Sequence, residues 1–127
     1  MMRWLLLMMA VLLLNCSGPT RPLAETIPAT VDGWTRSDVK LLQDNEVPEM
    51  VRRLGVEEAV STTYTGPAAI PVKVFKMKGQ TSAFELIQKW RQSDGLAVYS
   101  SSFFVVADPA GGPDTGRLLQ ALQKSLK

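Results

Sequence analysis

The chain has 127 residues, no histidine, one cysteine and a formal net charge of only +2. Without histidine, the commonest base near neutral pH, Ser-His and Cys-His catalytic pairs are excluded, as are zinc sites with nitrogen ligands. One cysteine cannot form an intramolecular disulfide, and the sequence has no basic patch with interleaved aromatic residues to indicate nucleic acid as a partner. The composition predicts a single domain without a metal or cofactor.

The N-terminus has the order of a secretory signal peptide. Arg3 gives a positive start, residues 4–14 are uncharged and apolar, and the sequence then turns polar and rich in proline. A helix that spans a bilayer needs about 20 apolar residues, so this run of about eleven is too short for a permanent span. We predict that residues 1–15 are a signal peptide.

Cys16 follows this run and resembles the lipobox cysteine of bacterial lipoproteins, which is acylated, for example with palmitate, while the preceding peptide is removed. Leu13 and Leu14 fit that pattern, whereas Asn15 stands where the lipobox has a smaller residue. The resemblance implies a protein of the bacterial cell envelope that is held to a membrane through a lipid on Cys16. A soluble secreted or periplasmic protein, cleaved beyond Cys16, is the alternative.

Residues 16–30 contain Pro19, Pro22 and Pro28 and few large apolar side chains. This composition is typical of a tether between membrane and domain. We therefore place a lipidated tether at 16–30 and the domain at 31–127, with Trp34 as its first core residue.

A short helix is predicted over residues 46–54, where apolar residues recur at helical spacing and Asp44 or Asn45 can cap the start. Arg52 and Arg53 lie near its C-terminal end. We interpret them as a solvated basic face beside the negative end of the helix rather than as an anion site.

Two strands are predicted next, at 56–64 and 70–77, with a turn at 65–68. In the second strand the apolar residues change face between Val74 and Phe75. Because side chains alternate strictly along a strand, this change predicts either a bulge or burial on both faces.

The best-defined helix is predicted to begin at Ser82, which has the spacing of a capping box with Glu85, and Thr81 is an alternative cap. Its apolar residues fall on one arc, which predicts a single face packed on a sheet. That arc consists of Ala83, Phe84, Leu86, Ile87 and Trp90. We favour core packing over a pocket for its two large aromatic side chains.

A second pair of strands is predicted at 96–99 and 103–107, and the serines at 100–102 are interpreted as a hairpin turn rather than as nucleophiles. The unbroken apolar run at 103–107 predicts a strand that is covered on both faces. A loop at 108–114 and a final helix at 115–127 complete the chain.

This order of elements, α-ββα-ββα, predicts an α+β fold. A single antiparallel sheet of about four strands, with the helices mainly on one face, would bury all the apolar stripes.

Several short runs between residues 33 and 107 resemble a family of bacterial secreted and envelope proteins to which no activity is assigned. They are Gly33-Trp34-Thr35-Arg36-Ser37-Asp38, Leu54-Gly55-Val56, Val74-Phe75-Lys76-Met77, Ser82-Ala83-Phe84-Glu85-Leu86 and Phe103-Phe104-Val105-Val106. The resemblance implies secretion and an α+β fold, and it carries no catalytic residue over to this chain.

Two classes of function are consistent with these features. The first is a non-enzymatic, membrane-anchored lipoprotein that binds a ligand or another envelope protein. The alternative is a hydrolase of the cell envelope that uses Asp94, Asp108, Glu57 or Glu58, or a serine with a lysine. Since no such residues are spaced as a catalytic pair, we predict a binding module and not an enzyme, with Cys16 as the one modified site.

Overall fold

The computed structural model describes residues 22–90, 96–108 and 112–126. The predicted signal peptide, Cys16 and Asp94 lie outside these ranges. Among the described helices, none is both long and apolar enough to cross a membrane.

The described strands form one antiparallel sheet, which confirms the predicted α+β class. The strands are β1 (Thr30–Val31), β2 (Trp34–Arg36), β3 (Lys40–Leu41), β4 (Val56–Thr65), β5 (Ala69–Met77), β6 (Leu96–Ser100) and β7 (Phe103–Ala107). They are ordered β1-β2-β4-β5-β7-β6, and β3 also pairs with β4. The prediction of about four strands is wrong, because it omitted β1, β2 and β3.

The three omitted strands are short pieces at one side of the sheet. Asp32 and Gly33 join β1 to β2, and both have positive φ, at 47° and 84°. Two consecutive residues of this kind form the tight turn that suits a hairpin. β2 and β3 both pair with the same edge of β4, but the register changes between them. Arg36 pairs with Tyr64 and Lys40 pairs with Ser61, so four steps along this segment correspond to three steps along β4.

Four helices accompany the described sheet: α1 (Leu23–Thr26), α2 (Glu49–Leu54), α3 (Gln80–Trp90) and α4 (Pro113–Ser125). The three predicted helices are confirmed, with different starts. A separate 3-10 turn, Asp44–Glu46, precedes α2, because Pro48 lies between them with an extended backbone. Ser82 lies inside α3 and does not begin it, so the predicted capping box is wrong.

The helices cover both faces of the sheet, which corrects the prediction that they lie mainly on one. On the face that we call the α4 face, α1 and α4 pack over a core that includes Val60, Val74 and Val105. On the opposite face, the α3 face, α2 and α3 pack over a core that includes Phe75 and Phe104. Every residue of β7 is apolar, so both faces of this strand have to be covered by other parts of the fold.

The change of face of the apolar residues in β5 is also explained by burial on both faces of the sheet. Val74 and Phe75 are both fully buried, in the two different cores, and the pairing of β4 with β5 continues without a shift through both residues. The prediction of burial on both faces is confirmed, and the alternative prediction of a bulge at this point is wrong. The one register shift between these strands lies between Val56 and Glu58.

The packed domain begins before residue 31, which corrects the predicted boundary of the tether. Leu23 and Ile27 in and after α1 are 1% and 2% exposed and belong to the core of the α4 face. The backbone N–H of Leu23 also donates to Glu58 Oε2 at 3.1 Å. The prolines around this single helical turn give it the composition of a linker, and two apolar side chains are enough to dock it.

Two aromatic predictions have different outcomes. Trp34 is buried as predicted, at 4% exposure, whereas Phe84 is 46% exposed and does not belong to the core. Phe84 instead meets Tyr99 edge-on, with ring centroids 5.9 Å apart. On the same helix, Trp90 packs edge-on against Phe104 at 5.4 Å and is half-buried.

Candidate functional site: a groove on the α3 face of the sheet

Helices α2 and α3 cover only part of the α3 face. Ala59, Phe75 and Phe104 lie side by side on β4, β5 and β7 and are buried in the core beneath these helices. Two residues further along the strands, Ser61 and Lys73 on the same face belong to the lining of a groove of about 510 Å³. The groove is therefore the open continuation of a covered sheet face.

The register of the strands brings two lysines to either side of one serine. Lys40 pairs with Ser61, and Ser61 pairs with Lys73. Directly opposed residues in an antiparallel ladder project from the same face, so these three side chains form a row across β3, β4 and β5. Both lysine side chains are exposed, and Val106 continues the row on β7.

A second row lies beside the first. Thr63 pairs with Pro71, and the backbone N–H of Asp108 donates to the Pro71 carbonyl at 3.1 Å. Asp108 is exposed and, with Asp38, lines the groove. The groove thus has a row with two cations and, about 7 Å further along the strands, a region with two carboxylates.

The break between β2 and β3 forms one wall of the groove. Ser37 Oγ accepts a hydrogen bond from the backbone N–H of Thr63 at 3.1 Å, so its side chain replaces a backbone acceptor in the ladder. The buried hydroxyl of Thr62 donates to the Ser37 carbonyl at 3.0 Å. These bonds fix the irregular backbone next to Asp38.

The remaining wall is apolar. The half-buried Trp90 contributes aromatic surface at the end of the groove nearest α3, with the buried Phe75 behind it, and Pro48 contributes from the start of α2. Ammonium groups and hydroxyls beside an aromatic wall suit a ligand that joins an anionic group to an apolar one, because each part then meets a matching surface.

The carboxylates proposed for hydrolysis do not converge among the described residues. Glu57 lies 3.9 Å from Lys76 Nζ, Glu58 accepts from the N–H of Leu23 near α1, and Asp108 lies in the groove. Asp94 is outside the described ranges. The described residues also contain no cluster of three or more potential metal-ligating side chains.

A serine with a lysine does occur, at Ser61 and Lys73. Both neighbouring lysines are exposed at the surface, whereas a lysine that activates a nucleophile is held in a desolvated apolar pocket. The geometry of Ser61 therefore favours hydrogen bonding to a ligand over nucleophilic attack.

Other polar residues singled out in the sequence have structural roles. Ser101 and Ser102 form the predicted hairpin turn between β6 and β7, and Ser101 has the positive φ, 53°, that such a turn requires. Arg52 and Arg53 are exposed as predicted, and Arg53 pairs with Glu49 at 2.9 Å.

Sequence reasoning missed Lys40, Ser61 and Lys73 as site residues. The usable signal was polar residues at every second position of two neighbouring strands, Ser61 and Thr63 on β4 and Lys73 on β5. That pattern predicts an uncovered strip on one face.

Comparison with protein-family models, with curated proteins and with solved structures found no match to this chain. The resemblance to a family of bacterial envelope proteins therefore depends on its short sequence runs alone.

Proposed function

We propose that this chain is a membrane-anchored lipoprotein of the bacterial cell envelope, acylated on Cys16, whose groove binds a partner without transforming it. The observation that carries the binding part is the groove itself, an open strip of the sheet next to the region covered by α2 and α3, with its charges arranged in separate rows. The anchor part is supported by Cys16 at the end of a short apolar run.

The arrangement of charges favours an extended segment of another envelope protein as the ligand. Residues i and i+2 of an extended chain project from the same face, about 7 Å apart. A segment that runs along the strands can therefore place a carboxylate beside Lys40 and Lys73 and a cationic side chain beside Asp38 and Asp108. An apolar residue of the same segment then meets Trp90.

A photo-crosslinking residue at Pro71, which is exposed in the groove, tests the site in intact cells. We expect a discrete adduct from position 71 that is lost when Lys73→Glu is added. The control is the same probe at Gln120, an exposed position on α4, which should give no such adduct. Equal adducts at both positions, or adducts unaffected by Lys73→Glu, would exclude the groove as the binding site.

The anchor is tested separately. Cys16→Ser should release the protein from membranes, and mass spectrometry of the wild-type N-terminus should find an acylated cysteine. An unmodified Cys16 would contradict the lipoprotein assignment. Hydrolysis of an ester or peptide that Ser61→Ala abolishes would instead favour an enzyme.

A further inference from the structure

We infer that the end of the domain near Leu23 forms a basic surface that lies against an anionic lipid bilayer. We call this surface the basic end and define it by Arg52, Lys78 and Lys124. The inference depends on the acylated Cys16 of the proposed function and adds an orientation and a lipid partner to it.

The length of the connection to the membrane is the first step. Leu23 is docked in the core, so only six residues separate Cys16 from Leu23, and the distance between these two residues is at most about 25 Å when the chain is fully extended. A domain of about 100 residues has a radius of gyration of about 13 Å and measures about 30 Å across. The connection therefore keeps the domain next to the membrane and limits how far the side that carries Leu23 can turn away from it. Within that limit, the charge of the facing surface decides the orientation. A tether that reached residue 30 would span about 50 Å and would let the domain rotate.

The strand pairing shows which elements share this side. The N–H of Leu23 donates to Glu58, Glu58 pairs with Lys76, and Lys76 pairs with Phe103. The N–H of Met77 donates to the carbonyl of Ser102 at 2.7 Å. The start of β4, the end of β5 and the β6–β7 turn thus lie together at the end of the sheet where α1 docks.

Three exposed cations lie at this same end. The backbone N–H of Lys78 donates to the carbonyl of Gly55 at 3.0 Å, and Gly55 ends the helix that carries Arg52. Ser100 Oγ donates to the carbonyl of Leu126, which places the end of α4, with Lys124, beside the hairpin turn.

Three acidic groups nearby have a partner, whereas Glu25 on α1 is exposed. Glu49 pairs with Arg53 at 2.9 Å, Glu57 lies 3.9 Å from Lys76 Nζ, and Glu58 accepts from the N–H of Leu23. Within the described ranges, the three cations of the basic end have no ion-pair partner. They outnumber the two nearby carboxylates without an ion pair, Glu25 and Glu58. Each basic side chain close to an anionic leaflet strengthens membrane contact about five-fold, so the excess of positive charge makes this end prefer an anionic bilayer.

The test uses the full acylated lipoprotein, whose lipid-bearing Cys16 leaves an introduced cysteine as the only free thiol. A fluorophore is placed at Ser101→Cys, in the β6–β7 turn, or at Thr65→Cys, at the far end of β4; both positions are exposed. The vesicles are phosphatidylcholine alone or with about a third phosphatidylglycerol, and a headgroup-linked quencher reports proximity. In anionic vesicles we expect at least about two-fold stronger quenching at position 101 than at 65, and a smaller difference at about 0.5 M salt.

Charge reversal supplies the matched control. Lys78→Glu with Lys124→Glu should remove the orientation, whereas Lys40→Glu with Lys73→Glu, the same charge change in the groove, should keep it. Equal quenching at the two positions, an orientation that does not depend on anionic lipid, or identical behaviour of the two double variants would overturn the inference. A protein that floats with the vesicles without orientation contradicts this inference alone, whereas absence of the acyl group contradicts the proposed function as well.

Discussion

Leu23→Ala tests most directly where the folded domain begins. Leu23 is 1% exposed in the core of the α4 face, and truncation to alanine removes about three buried carbon groups, worth about 0.8 kcal/mol each. The cavity left behind adds to this loss, and measured leucine truncations range from about 2 to 5 kcal/mol. Because α1 has a single turn and can partly collapse into the space, we expect about 2–3 kcal/mol.

The assay is a urea titration of residues 16–127 with Cys16→Ser, and the control is Leu41→Ala. Leu41 is 64% exposed, so the same chemical change there should shift the free energy of unfolding by less than about 0.5 kcal/mol. A domain of this size is stable by about 5–15 kcal/mol in total, so the expected difference is easily measured. If Leu23→Ala lowered the free energy of unfolding as little as Leu41→Ala, residues 22–30 would behave as a tether and α1 would not be part of the packed domain.

Two further substitutions test the local physics of the fold. Burial raises the pKa of Tyr64 to about 12, against an ordinary 10.0. As the pH rises, the unfolded chain therefore releases this proton first, and the free energy of unfolding should fall by about 2–3 kcal/mol between pH 10 and 12. Urea titrations at about pH 9 and 12 should show a smaller fall for Tyr64→Phe than for the wild type, and an equal fall would contradict the argument. Gly55→Ala should destabilise the fold by about 1–3 kcal/mol, because Gly55 has φ 96°. Gly116→Ala, in open space within α4, should instead stabilise the fold by up to about 1 kcal/mol. Equal shifts of the melting temperature for the two variants would refute the special backbone conformation of Gly55.

The long elements could be predicted because the periodic spacing of their apolar residues extends over enough of the chain. β4, β5, α3 and α4 each contain several turns or alternations of apolar side chains, and their positions agree with the structure within a few residues. The two-residue strands β1 and β3 cannot show a periodicity of their own. Asp32-Gly33 did carry a hairpin signal, and it was the one local clue to the missing strands.

The distribution of helices was harder to predict, although its cause is visible in the sequence. Phe104 and Val105 are adjacent, and each is buried in a different core. An unbroken apolar strand with a neighbour on each side needs a cover on both faces, and α2, which is only six residues long, provides part of the second cover. Applying this reasoning to all the helices would have divided them between the faces.

The row of groove residues across three strands could not be predicted because it depends on strand register. Lys40, Ser61 and Lys73 are far apart in the sequence, and they lie in one row only because β3 pairs with β4 after the irregularity at Ser37. A shift of one residue in β3 would turn Lys40 to the other face of the sheet. The hydroxyl of Ser37 stabilises the required register, yet nothing in its neighbouring residues indicates that role.

The groove and the basic end lie at different positions along the same strands, and this separation links the two proposals. On β4, Glu58 lies beside the docked α1, whereas Ser61 and Thr63 lie in the groove. On β5 the corresponding residues are Lys76 and Lys73. Three to five residues of extended strand separate the two regions by about 10–17 Å. If the basic end lies against the bilayer, the groove is held above the lipid headgroups and is accessible to a segment of a partner protein. A lipid that remains in the bilayer could reach the groove only in the opposite orientation, so the quenching experiment also tests whether the groove can bind such a lipid.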